Sequence, residues 1–294
     1  MDAQNQFCLN IETYHQLKNL RRQQFQSSVE LEGLRFSRLK ALLVYCHDHF
    51  DFYRDRFAKA HFKPQEMQTI KDLEAVPPLG KEEYREFTHE LIARNPQMVN
   101  HFYQDGTSGS SGMPLKIYRT RIERAYMLAK YLRALYCNGY RKRDLTFCLP
   151  SPHRITASDS WIQRLGLMKR ISVAYTAPVE EMVRGYQSQK VDLLYANRSH
   201  LVMMAEYIRQ NGMEIKKPRL VCSSGETMDT NSRAVIEEVF GKEGLFEVYG
   251  AVEFNNLAYQ LAGQPGFYFN HDTNILELEG ENGRINPSAG RCII

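Results

Sequence analysis

The sequence predicts an α/β fold, a layered and largely parallel sheet with flanking helices, preceded by a helical N-terminal segment. Three observations carry this. Short strand-like segments recur in the second half of the chain, at Leu145–Leu149, Ile171–Ala174, Leu193–Tyr195, Leu220–Cys222 and Leu245–Tyr249. Stretches of helical periodicity stand between them, notably His200–Gln210 and Asn231–Phe240. The chain has 294 residues, 43% hydrophobic and 24% charged, which suits one large α/β domain or two small ones.

Residues 1–75 read as the helical segment and 76–294 as the α/β core. In Leu31–Phe57, apolar residues recur at helical spacing through Leu34, Leu39, Leu42, Leu43, Cys46, Phe50, Tyr53 and Phe57. Val76-Pro77-Pro78 is a stiff connector, and Lys81–Phe87 a short helix. His101–Gln104 and Leu115–Tyr118 are strand candidates flanking a Gly/Ser-rich loop. Thr120 can cap the helix that follows, whose expected buried stripe is Ile122, Ala125, Ala129, Leu132 and Tyr136. Asp229 or Thr230 can cap the helix at Asn231–Phe240, and Gly241 suits its end. Ligands of parallel sheets gather at the strands' carboxyl ends, so the loops there are where chemistry is expected.

Composition excludes several classes. Thirty-eight Lys and Arg against 34 Asp and Glu give +4, too weak a balance to imply nucleic acid. The mean hydropathy is −0.48, and no apolar run approaches the ~20 residues of a membrane span. The N-terminus lacks a signal pattern, so a cytoplasmic protein with no membrane partner is expected. The six cysteines form no C-x-x-C pair, and reduced thiols are expected. Cys46 and His49 share a helix face, but two ligands make no closed metal site, and packing is the better reading. Trp161 is expected in the core or a pocket wall.

The richest segment is Asp105-Gly106-Thr107-Ser108-Gly109-Ser110-Ser111-Gly112-Met113-Pro114-Leu115-Lys116. Three glycines and four hydroxyl residues fall in seven consecutive positions. Such a backbone can turn sharply, and its successive N–H groups can form an anion nest. Lys116 can add a positive charge. A flexible hairpin tip is the bland alternative. The pattern is neither the Walker loop, because no Lys-Ser or Lys-Thr follows the last glycine, nor the G-x-S-x-G elbow, from which it is one position out of register.

Thr107-Ser108-Gly109-Ser110-Ser111-Gly112-x-Pro114 resembles the phosphate loop of the adenylate-forming enzymes. Cys222-Ser223-Ser224-Gly225-Glu226 resembles that superfamily's adenine-pocket turn, and Tyr249-Gly250-Ala251-Val252-Glu253 its Tyr-Gly-x-x-Glu motif. Three motifs in order, each after an expected strand, are far more specific than any one. Leu42–Arg54, Leu73–Phe87, Val191–Gln210 and Tyr268–Leu278, the last with Asn270 and Asp272, are similar to the phenylacetate–CoA ligase branch. The resemblance covers roughly residues 35–290.

The resemblance implies the large domain of an ATP-dependent carboxylate-activating ligase, forming an acyl-adenylate and then a thioester, with CoA as the expected acceptor. Thr107, Ser108, Gly109, Ser110, Ser111, Gly112 and Lys116 would bind phosphate. Ser224, Gly225, Glu226, Tyr249 and Gly250 would form the adenine site. Glu253 would hold Mg²⁺ and, with Thr107, carry the catalysis. Tyr249 could equally be a core aromatic, and Glu253 a first-turn acid. His153 and Arg154, after a strand, are candidates for the acyl pocket or an ordinary polar loop. The branch's Cys/His cluster has no counterpart in Asn255–Phe269, so no structural zinc is expected.

Two departures stand out. Met113 occupies a position often Lys in the family. The chain ends at Arg291-Cys292-Ile293-Ile294, inside what would be a strand, without the family's small C-terminal domain. The expectation is therefore a large domain cut from a longer protein, or a natural truncation, that binds nucleotide with little turnover. The alternative from another class is a non-catalytic nucleotide-binding or carrier-protein-binding module that kept the fold. A phosphate binder matching the loop by chance is a third. The partners foreseen are a small-molecule carboxylate, a carrier protein as an alternative acceptor, and a second copy in a homodimer, the commonest oligomer.

Overall fold

The computed structural model describes residues 3–106, 115–152, 155, 160–279 and 291–293. The chain forms two compact units, Met1–Leu17 with Arg124–Phe269 and Lys18–Glu123 with Asn270–Ile294. This division differs from one at residue 75: residues 76–123 and Asn270–Ile294 belong with the segment beginning at Lys18, and Met1–Leu17, which includes most of helix α1 (Ala3–Gln23), with the sheet.

The unit beginning at Lys18 is mostly helical. Helix α2 (Ser28–His49) starts at a capping box, in which Ser27 Oγ accepts from the Glu30 N–H and Glu30 accepts from the Ser27 N–H at 2.8 Å. The apolar spacing over Leu31–Phe57 reads as one helix, yet α3 (Asp51–Lys59) is separate. Phe50 is extended (φ −130°, ψ 116°) and breaks the run. Its ring packs edge-on to Phe87 at 5.8 Å, and Phe52 stacks on Phe87 at 4.6 Å, so the apolar stripe continues across the kink. Arg56 donates to the carbonyls of Pro77 (2.6 Å) and Pro78 (2.8 Å) and pairs with Glu83, which fixes the proline connector. Helix α4 (Lys81–Arg94) runs about two turns beyond the expected Phe87.

A 3₁₀ segment at Pro96–His101 then delays the first strand, β1 (Tyr103–Gly106), by two residues against expectation. It pairs antiparallel with β2 (Lys116–Arg119), Gly106 opposite Lys116. On the hairpin's inner face Arg119 donates to Asp105 at 2.7 Å, both side chains largely buried. Thr120 caps the next helix as expected, accepting from the Glu123 N–H while Glu123 accepts from the Thr120 N–H at 2.7 Å.

The unit ending at Phe269 contains helix α5 (Arg121–Cys137), which enters it at Arg124, and strands β3 (Thr146–Cys148) and β4 (Arg170–Ser172), joined through α6 (Trp161–Arg164). Helix α7 (Val179–Gln187), strand β5 (Leu193–Asn197), helix α8 (Arg198–Gln210), strand β6 (Leu220–Ser224), helix α9 (Thr230–Phe240) and strand β7 (Leu245–Ala251) follow. Two further strands, β8 (Asn255–Tyr259) and β9 (Tyr268–Phe269), complete a seven-stranded sheet of order β4-β3-β5-β6-β7-β8-β9. The first five in that order run parallel, β8 pairs antiparallel with β7, and β9 antiparallel with β8. Strand alternation supplies both faces. Leu194 and Val221 pack with Met182, Leu201, Met204 and Ile236 of the helices on one side. Leu193, Leu220, Cys222, Phe246 and Val248 pack with Ala134 and Leu135 of α5 on the other.

Helix α5 corrects one expectation. Ala125 and Ala129 are fully buried, but Ile122 is 60% exposed, and Lys130 and Arg133 are buried instead. Long cationic side chains can pass through an apolar layer when their ends find acceptors, and Lys130 Nζ donates to the Phe254 carbonyl at 2.8 Å. Trp161 is not in the core either, since it is 40% exposed on α6. Strands β10 (Glu277–Glu279) and β11 (Arg291–Ile293) pair antiparallel in the other unit.

Candidate functional site

The parallel strand order reverses between β3 and β5, because β4 lies beyond β3 on one side and β5, β6 and β7 follow on the other. The carboxyl ends of such strands form the receiving edge of an α/β sheet. Two expected motifs meet there through register alone. Ser224 pairs with Val248, so Gly225-Glu226, just past the end of β6, neighbours Tyr249-Gly250 near the end of β7.

The Gly225-Glu226 turn is held by side chains. Gly225 has φ +79°, and a Cβ there would meet Asn197 Oδ1 at 3.3 Å. Ser199 donates to Glu226 through its backbone N–H (2.9 Å) and its Oγ (2.7 Å), and Arg198 adds Nε at 3.4 Å. Glu226 therefore caps the start of α8 from a separate loop, where an anion is favoured by the helix dipole. Burial pushes its carboxyl up, but the Ser199 hydrogen bonds and the Arg198 charge outweigh it, and the net pKa is lowered. Arg198 also donates to Asp229 at 2.6 Å, and Asp229 caps α9 through the Ser232 N–H at 2.9 Å. Its carboxyl is held below the usual range, chiefly by the Ser232 hydroxyl and N–H. Ser224 Oγ donates to the Tyr195 hydroxyl at 2.9 Å.

The Tyr249-Gly250 step, inside β7, is held by backbone. The β7–β8 register shifts between these two residues, which marks a bulge. A Cβ on Gly250 would lie 2.0 Å from the Asn255 carbonyl oxygen, so no side chain fits. Tyr249 is 44% exposed, and its ring stands edge-on to Phe267 at 6.5 Å and 71°. A half-exposed phenol ring at the sheet's receiving edge can offer a face to a flat base. Glu253 lies in the turn joining β7 to β8, partly exposed. One carboxylate is a suitable protein donor for Mg²⁺, which takes one or two carboxylates and completes its shell with phosphates and water. Among the described residues no group of three or more His, Cys, Asp or Glu comes together to hold a metal.

At the switch point, Cys148 Sγ lies 3.2 Å from Ser172 Oγ, and burial, only partly offset by Ser172 and Arg170, pushes the thiol up. It stays protonated at neutral pH and is no nucleophile as it stands.

The remaining expected residues fall elsewhere. Lys116 is exposed on β2, at the root of the Gly/Ser loop. Thr107, Ser108, Gly109, Ser110, Ser111 and Gly112 lie outside the described residues, as do His153 and Arg154. The sequence reading missed Asn197, Arg198 and Ser199. Their signal was the small polar turn after a parallel strand, which marks a receiving loop but not its partner.

The fold is similar to that of solved CoA ligases. An open conformation of 2-hydroxyisobutyryl-CoA ligase, solved with 2-HIB-AMP and CoA, superposes with a TM-score of 0.68 at 21% identity, covering 88% of this chain and 63% of that one. The same ligase in its thioesterification state also gives 0.68, covering 57% of that chain. In sequence, the chain is similar to phenylacetate-coenzyme A ligase of Pseudomonas putida, 24% identical over 231 residues, or 76% of this chain. It spans about half the length of that relative (50%). No protein-family model matches the chain. Among the described residues no helix is long and apolar enough to cross a membrane.

Proposed function

We propose that this chain is the nucleotide-binding part of an ATP-dependent carboxylate–CoA ligase. The observation that supports it most is the Ser224–Val248 register, which sets the Gly225-Glu226 turn next to Tyr249-Gly250 of β7 at the carboxyl edge of a parallel sheet. In this reading Tyr249 offers its face to the adenine, and Ser224, Gly225, Glu226 and Gly250 shape the pocket around it. The backbone of Thr107–Gly112 holds the phosphates, with Lys116 adding charge. Glu253 holds Mg²⁺, which neutralises phosphate charge when bound. The substrate carboxylate attacks the α-phosphorus and pyrophosphate leaves. The CoA thiol then attacks the acyl carbon of the adenylate and AMP leaves. The protein's share is positioning and electrostatic stabilisation.

The test is ATP–pyrophosphate exchange by the full-length protein across a panel of aliphatic and aromatic acids. Acid-dependent exchange is expected, with loss in Glu253→Ala while circular dichroism stays unchanged. Undiminished exchange in that variant would remove the metal role. ATP binding without exchange for any acid would favour the non-catalytic module. Following the exchange-positive acid with CoA, or with a carrier protein in its place, identifies the acceptor.

A further inference from the structure

Helix α1 has two apolar faces. Leu9, Thr13, Leu17 and Leu20 are buried along one. Phe7, Ile11 and Tyr14, at i, i+4 and i+7, stay 47%, 42% and 56% exposed along another. The Phe7 ring packs on Trp161 at 5.5 Å, and the exposed Leu165 caps the end of α6 one turn after Trp161. Five large apolar side chains thus share one surface, where a scatter of single residues would need no explanation.

The rim of this surface is cationic. Lys142 Nζ sits 5.5 Å from the centre of the Tyr14 ring, within cation–π range. Its neighbours Arg141 and Arg143 are exposed in the same turn, and the adjoining acid, Asp144, is buried and paired with Arg219. The Met168 N–H donates to the Lys142 carbonyl at 2.6 Å, which ties this turn to the segment following α6, whose last residue, Arg164, is exposed. No carboxylate within this turn neutralises the rim.

We propose that this face docks an acidic protein surface, with an apolar anchor from the partner set between α1 and α6 and partner carboxylates meeting Lys142, its neighbours and Arg164. The charge of the rim selects an anionic partner. The rings select a protein over a lipid bilayer, because each is half-embedded and held by a neighbour, the fixed relief of an interface centre. Tryptophan, tyrosine and arginine are the residues that dominate such centres. Screening by salt weakens the rim contribution, while the apolar centre persists.

Trp161 is the single tryptophan of the chain, so its emission reports on this surface directly. The probe is a synthetic helical peptide of glutamate and leucine, compared with its lysine-for-glutamate counterpart, phosphatidylserine vesicles and single-stranded oligonucleotide. The acidic peptide is expected to shift Trp161 emission saturably. Its affinity should fall at least tenfold in Lys142→Glu and in Leu165→Glu, and weaken with salt. The charge-reversed peptide should bind at least tenfold more weakly. Equal binding of the two peptides, unchanged affinity in both variants, or a shift given only by vesicles or oligonucleotide would overturn the proposal. Both substitutions lie at exposed positions, and circular dichroism checks their fold.

Discussion

Gly225 and Gly250, at the carboxyl edge of the sheet, hold the same kind of position by opposite means. Gly225 sits in a loop fixed by charge: Glu226 is gripped by Ser199 and Arg198, and Arg198 by Asp229. Gly250 sits in a hairpin fixed by contact between backbones, with Asn255 where a side chain would be. The first turn can be loosened by proton, salt or a single polar substitution. The second answers only to volume. A receiving edge with one adjustable and one rigid lip follows from this difference.

Gly250→Ala should therefore have the largest effect, about 3 kcal/mol of lost stability, because the new methyl meets backbone that cannot step aside. Urea denaturation checks it, and a loss under 1 kcal/mol would show that the bulge can yield. Gly225→Ala should cost less, about 1–2 kcal/mol, from the left-handed backbone alone. Its methyl would meet only the Asn197 side chain, which can rotate. A loss exceeding that of Gly250→Ala would reverse the comparison.

Glu226→Gln should cost about 1 kcal/mol, since a charged hydrogen-bond acceptor becomes neutral at a partly exposed site. The smallest effect is in pH. The folded pKa of Glu226 lies below its ordinary 4.5, so its contribution is complete above 4.5 and is lost as pH falls through the lowered folded value. The difference in stability between wild type and Glu226→Gln should shrink in that window, whereas the difference between wild type and Gly250→Ala should stay constant. A Gly250→Ala difference that titrated would mean the two lips are coupled.

Much of this arrangement was legible in the residues. Strand β5 begins at Leu193 and β6 at Leu220 as the apolar pattern indicates, and Asp229 and Gly241 cap α9 where their chemistry suits. The loop bearing Gly225 follows its strand as expected, whereas Tyr249 and Gly250 lie inside β7, which runs two residues past the expected end at Tyr249. What escaped was non-local or hidden by period. Phe50 belongs to the apolar stripe, so nothing in the spacing reveals that it is extended. Ser199 lies 27 residues from Glu226, and the clamp between them exists only once β5 and β6 pair. Strands β8 and β9 carry no alternating pattern, because the whole of β8 beyond Asn255 is buried. The buried Lys130 and Arg133 defeat a reading that assigns charged residues to solvent.

Lys130 has a consequence for how this molecule can move. Its ammonium, inside the layer beneath the sheet, donates to the carbonyl of the residue immediately after Glu253. Any excursion of that turn toward a visiting molecule would cost a desolvated cation one of its acceptors. The Glu253 turn is thus moored to α5 through Lys130, and displacing it means breaking that hydrogen bond.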